Sequence, residues 1–196
     1  MMKKVCIFVI IMTITLCLTG CRTVNEKTLA QNLKKIELTG NLVTHQAYFH
    51  NVIEHEKKAG TGLTHLFEKK RKLFAEYTGT VKLGIDLSQV KMEVKGNAIN
   101  VLIPKAIVIG EPNVDEDDFK SENFIESKDG INKNEITADD SSAAFDEAQR
   151  EMKEYAANDS ELLSVAQTRA KVILEENIKQ FSKLSEDKYI INWEYQ

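Results

Sequence analysis

"TVKLGIDLSQVKMEVKGNAINVLIP", Thr80 to Pro104, holds three runs of alternation, and its reading decides the fold. In the first run Val81, Leu83, Ile85 and Leu87 alternate with Lys82, Gly84, Asp86 and Ser88, and a period of two sends every second side chain to the same face of a strand. One face must be buried. In the second, Val90, Met92 and Val94 alternate with Lys91, Glu93 and Lys95, and in the third Ile99, Val101 and Ile103 share a side. Gly96-Asn97 between them tolerates the positive φ of a tight turn, so these two runs form a hairpin. Pro104 has no N–H to give to a ladder and ends the strand, or sits at a bulge, before "AIVIG", Ala106 to Gly110, a candidate to resume the sheet. Gly84 inside the first run marks a bulge or the close approach of another backbone.

Upstream, "ELTGNLVTHQAYFHNVIEHEK", Glu37 to Lys57, mixes β-branched and aromatic residues with polar ones and reads as a strand near Leu42 to Ile53, broken by Ala59 to Gly62. The basic cluster Lys69, Lys70, Arg71 and Lys72, flanked by Phe67 and Leu73, reads as a solvated turn or helix face. Glu111 to Asp118 is an acidic loop, and Phe119 to Glu135 is read as irregular, with a turn at Asp129-Gly130.

Downstream the period lengthens. Thr137 and Asp140 have the spacing of a capping box and open a helix. Its inner face carries Phe145, Ala148, Met152, Tyr155 and Ala156, opposite Glu147, Arg150, Glu151 and Glu154. Asn158-Asp159-Ser160 offers new N-caps for a second helix with a stripe of Leu163, Ala166, Ala170, Ile173, Phe181 and Leu184. "YIINWEY", Tyr189 to Tyr195, is a last strand with an aromatic face. Strands, a helix pair and a returning strand imply an α+β fold: an antiparallel sheet packed by C-terminal amphipathic helices, with the final C-terminal strand returning to the sheet.

The N-terminus has a different grammar. Lys3 and Lys4 precede the apolar run Val5 to Leu18, fourteen residues against the roughly 20 that cross a bilayer, and small residues follow. Leu18-Thr19-Gly20-Cys21 resembles the bacterial lipobox, whose cysteine becomes a diacylglyceryl thioether at the mature N-terminus. The expected division is a signal peptide over 1–20, a polar tether over 21–35 and a single domain over 36–196. Cys21 is the expected lipidation site. Two acyl chains give the stable anchoring that one cannot, at about 0.8 kcal/mol per buried methylene.

Composition narrows the rest. The three cysteines are Cys6, Cys17 and Cys21, which leaves none for a disulfide, a thiolate metal site or a nucleophile in the body of the chain. Without Lys3 and Lys4 the 26 basic side chains fall to 24 against 30 acidic ones, a net charge of −6, which speaks against nucleic acid as a partner.

"YTGTVKLGIDLSQVKMEV", "INVLIPKAIVI", the acidic "VDEDDF", the alanine-containing charged helix and the terminal "YIINWEY" together resemble the bacterial domain of unknown function 4230 over roughly Glu37 to Gln196. The most specific parts are Gly84 to Ser88 and Leu102-Ile103-Pro104-Lys105-Ala106. The resemblance implies a membrane-anchored or exported protein and brings no catalytic residues with it.

Candidate sites are few. The histidines fall at 45, 50, 55 and 65; on a strand, His45 and His55 share a face and His50 takes the other, without the spacing of a zinc site. Asn113, Asp115 and Asp117 occupy positions 1, 3 and 5 of a calcium loop, but position 6 is Asp118 where glycine is needed and position 12 is Phe124 where glutamate is needed. An acidic surface loop is the better reading, with Asn113, Asp115, Asp117 and Asp118 as weak cation ligands. Asp86 reads as a hydrogen-bonded structural carboxylate. The chain has no G-x-S-x-G, P-loop or His-Glu-x-x-His motif. No enzyme and no cofactor are expected. The expectation is a non-enzymatic envelope lipoprotein on the extracytoplasmic face, held to the membrane through Cys21, with a protein partner or self-association as its business. The alternative is a ligand- or calcium-binding lipoprotein using loop 113–118.

Overall fold

The computed structural model describes residues 38–126, 131–183 and 189–196. Cys21, the signal segment, the tether, the Asp129-Gly130 turn and Leu184 lie outside them. The fold is α+β, and the described residues form two sheets and two helices.

Two long strands dominate. β1 (Asn41–Lys57) and β2 (Arg71–Asp86) run antiparallel over nearly their whole lengths, from Asn41 opposite Asp86 to Lys57 opposite Arg71. β1 thus continues beyond Ile53. Arg71 and Lys72 open β2, so the basic cluster belongs half to a strand and not to a turn or helix face. Three short strands line the far edge of β2: β5 (Ile107–Val108), β6 (Asn113–Val114) and β7 (Ile125–Glu126). "AIVIG" therefore does resume the sheet. β7 and the 3-10 turns Glu116–Phe119 and Ser121–Asn123 structure a stretch that composition left irregular, and Phe119 and Phe124 within it are buried.

The second sheet pairs β3 (Lys91–Lys95) with β4 (Ala98–Ile103) through the Gly96-Asn97 turn, where Gly96 takes φ 59°. β8 (Ile190–Tyr195) joins the other edge of β4. This last pairing is parallel, because the chain returns to β4 through the helix pair and not through a hairpin.

Helix α1 (Ala138–Asn158) begins where the box spacing places it: the Asp140 carboxylate accepts from the Thr137 N–H at 2.7 Å and from its hydroxyl at 2.6 Å. Its buried stripe is Ala144, Ala148, Met152 and Ala156. Tyr155 does not face inward; it is 61 % exposed and meets Phe49 edge to face, at 5.7 Å. Helix α2 (Ser160–Lys183) buries Ala166, Ala170, Leu174 and Ile178. Ile173 is only half-buried and Phe181 is exposed, so the stripe follows a strict spacing of four where a near-heptad one was expected. Alanines one turn apart let both helices lie close on the inner face of β1 and β2.

That inner face holds the core. Under α1 it comprises Ile53, Leu73, Ala75, Tyr77 and Val81 with Phe119 and Met152; under α2, Ala47, Leu83 and Ile85 with Ile103 and Leu174. Ile99 and Val101 of β4 pack on Ile178 and extend it to the second sheet, with Trp193 of β8 beside them. A bulge between Val43 and His45 lets Leu42 and Ala47, which differ in parity, both point inward, and the Thr44 hydroxyl there donates to the Ala166 carbonyl at 2.7 Å. Asn134, a buried polar side chain, donates to the carbonyls of Lys58 (3.1 Å) and Lys69 (3.0 Å) and so ties together the two ends of the β1–β2 connection.

Candidate functional site

Two carboxylates of the acidic loop, Asp115 and Asp118, are turned toward the protein's own backbone. Asn113 is the first residue of β6, opposite Thr80. Asp115 caps the following 3-10 turn by accepting from the Asp117 N–H at 3.0 Å. Asp118 accepts from the Thr78 N–H and hydroxyl at 2.8 and 3.1 Å, which fastens the loop to β2. Asp117 pairs with Lys120 at 2.8 Å. The loop thus acts as a brace, with one oxygen of each of Asp115, Asp117 and Asp118 already holding a partner within the protein. Among the described residues, no three His, Cys, Asp or Glu side chains gather closely enough to hold a metal ion.

The histidines fall as strand parity says. His45 and His55 reach inward, His45 to Arg169 at 3.0 Å and His55 to Glu147 at 3.0 Å, while His50 faces outward and meets Glu76 at 2.5 Å. His65, in the β1–β2 connection, pairs with Glu68 at 2.8 Å. Glu147, assigned to the solvent face of α1 by its spacing, is instead a half-buried partner of β1. Three of the basic cluster pair across neighbouring strands: Lys70 with Glu56 and Lys72 with Glu54 of β1, and Arg71 with Glu126 of β7. Asp86 accepts from the Ser88 hydroxyl, the Gln89 amide and the Ser88 N–H, which hold its carboxyl below the usual range and make it a turn cap.

What remains open is an edge of a sheet. Among the described residues β1 pairs with β2 alone. The direction of its free backbone groups follows from β2: the Thr78 carbonyl accepts from Asp115 N–H and the Thr78 N–H donates to Asp118, so both groups of Thr78 point away from β1. Its partner His50 is therefore in a non-hydrogen-bonded pair, with its own N–H and C=O directed outward. The Lys82 carbonyl, engaged by Ile109, says the same of Gln46. Alternation then assigns Gln46, Tyr48, His50, Val52 and Glu54 as the residues offering donors and acceptors along the edge. Tyr48 and Val52 are 81 % and 63 % exposed, and His50, Asn51 and Val52 are exposed in succession on both faces. From Gln46 to Ile53 the strand carries no Asp, Glu, Lys, Arg, Pro or Gly.

Natural sheets blunt such edges with charge, proline or bulges. β1 has its bulge at Val43/His45 and its charges from Glu54 onward, and leaves the middle bare. An exposed sheet edge was one expected interaction surface, but which strand would supply it was not visible in the sequence, because that depends on which strands pair.

A second feature is an apolar groove of about 530 Å³ between β3 and α2, lined by Val90, Met92, Leu174, Ile178 and Phe181, with Leu38 at its side.

Residues 34–187 match the family model described as Protein of unknown function (DUF4230). The chain belongs to the DUF4230 family. The DUF4230 match takes in the long hairpin, the acidic loop, α1 and α2, and stops before β8. No curated protein and no solved structure matches the chain.

Proposed function

We propose that this DUF4230 protein is a lipid-anchored, non-enzymatic module of the bacterial envelope, held on the extracytoplasmic face through Cys21, which binds a partner polypeptide along the free edge of β1. The observation that carries it is the bare stretch Gln46–Ile53, whose outward N–H and C=O groups form a ready template for an added strand. The order of charge, apolar run, small residues and cysteine at the N-terminus supports the anchor. The non-enzymatic reading is supported by the candidate carboxylates and histidines each being engaged in bonds that brace the fold.

Two experiments test the two halves. A photo-crosslinking amino acid at Val52, in cells, captures a polypeptide, and the same probe at exposed Glu116 does not; equal capture at both, or none at Val52, removes the edge. Cys21→Ala leaves the protein unlabelled by palmitate and released from the membrane fraction. Labelling that persists removes the anchor.

A further inference from the structure

The edge has the right residues to receive itself. We propose that the strand added to β1 is β1 of a second copy, antiparallel about a two-fold axis through His50; this rests on the reading of that edge as the docking surface. Two strands related by such an axis pair residue for residue: His50 with His50, Tyr48 with Val52, Gln46 with Glu54. All five residues from Gln46 to Glu54 that take part have backbone groups aimed outward, so each facing pair exchanges two hydrogen bonds, about ten in all.

The side chains choose this register. Tyr48 and Val52, both strongly exposed, face each other twice across the axis, an aromatic on a β-branched residue. Gln46 faces Glu54 twice, amide to carboxylate, and no two like charges are opposed. The two histidines at the centre each keep Glu76 of their own copy as a neighbour. Sliding one copy by two residues is worse in either direction: one way opposes Tyr48 to Glu54, the other opposes Val52 to Gln46. The bulge at Val43/His45 and the charge of Glu56 bound the pairing on both sides and keep it from propagating.

The register is testable by disulfide formation, because outside its first 21 residues the chain has no cysteine. In a facing, hydrogen-bonded pair the Cα atoms are about 5.5 Å apart, within the 4.4–6.8 Å span of a disulfide. Single cysteines are placed in the full-length chain in its own membrane and oxidised mildly, the unsubstituted chain serving as the control for Cys21. His50→Cys shifts the chain to twice the monomer mass. Tyr48→Cys alone and Val52→Cys alone do not, since each would meet its own copy at about 14 Å along the strand; the two expressed together do.

His50 is exposed on the outer face, so the melting temperature of His50→Cys reports whether the fold is intact. Crosslinking that is stronger at Val52→Cys than at His50→Cys overturns the register. No disulfide at any position, with the Val52 photo-probe still capturing a different polypeptide, overturns self-pairing and leaves the docking edge standing. Failure of both removes the edge as well.

Discussion

Gly84 is where the long hairpin is most tightly closed. It lies in β2 opposite Val43 at the bulge and beside Ile107 of β5, and it is buried. A Cβ built on it would fall on the Leu42 carbonyl oxygen and 2.8 Å from Ile109 Cδ1. The first of these is backbone and cannot rotate aside, so Gly84→Ala has to push Asn41–Val43 away from β2. Overpacking of this kind costs about 1–3 kcal/mol, and losing one or two ladder hydrogen bonds adds about 1 kcal/mol each. A total of about 2–5 kcal/mol corresponds to a melting temperature lower by roughly 4–20 °C in a chain of this size.

Gly110→Ala is the matched control, with φ at 75° and nothing within 4 Å of the new carbon, so that only backbone strain of about 1–2 kcal/mol is incurred. Urea unfolding of the full-length chain in detergent, followed by circular dichroism, gives both values. If Gly84→Ala loses no more than Gly110→Ala, the crowding at the bulge is not what fixes the register of β1 on β2.

Three other outcomes follow from the same geometry. Asn134→Ala removes two hydrogen bonds to the ends of the β1–β2 connection and lowers stability by about 1–3 kcal/mol in the same unfolding assay, with proteolysis expected first within 58–70. At Asp140 burial pushes the carboxyl up, but hydrogen bonds from Lys57 and Thr137 and the Lys57 charge outweigh it and hold the group below its usual value of 3.8. The stability it contributes is whole above about pH 4 and is lost as the pH falls further, so the deficit of Lys57→Met narrows in acid; a deficit constant from pH 7 to pH 2 would refute the pairing. Calcium leaves the melting temperature unchanged, because Asp115, Asp117 and Asp118 are already engaged; a rise that disappears in Asp115→Ala with Asp117→Ala would establish the loop as a cation site.

Elements whose signal is local were legible in the sequence. Alternation over Val81–Ile85 and again over Lys91–Ile103, the Gly96-Asn97 turn and the Thr137/Asp140 box each depend on residues a few positions apart, and each is present, whereas Leu87 and Ser88, read as the end of the first strand, fall in a 3-10 turn capped by Asp86. What sequence hid was set by distant pairing. The extension of β1 to Lys57 depends on Lys70 and Lys72 answering Glu56 and Glu54 across the hairpin, a match that no window of one strand contains. The short strands β5, β6 and β7 exist because β2 offers them an edge. In α2 the run Val172-Ile173-Leu174 leaves the facing residue ambiguous, and only contact with Ile103 and the second sheet selects Leu174. The acidic loop displayed its charges but not their direction, and direction separates a brace from a ligand set. The candidate edge was the least legible of all, since an unpaired strand is defined by what does not lie beside it.

Residue-resolved amide hydrogen exchange on the full-length chain in its membrane tests the docking edge most directly. If β1 is paired there on both sides, the N–H groups of Tyr48, His50 and Val52 exchange as slowly as those of Ala47 and Phe49, which the ladder to β2 already holds. Fast exchange at the three even positions, alternating with slow exchange at the odd ones, would mean that the edge is bare and that nothing binds it.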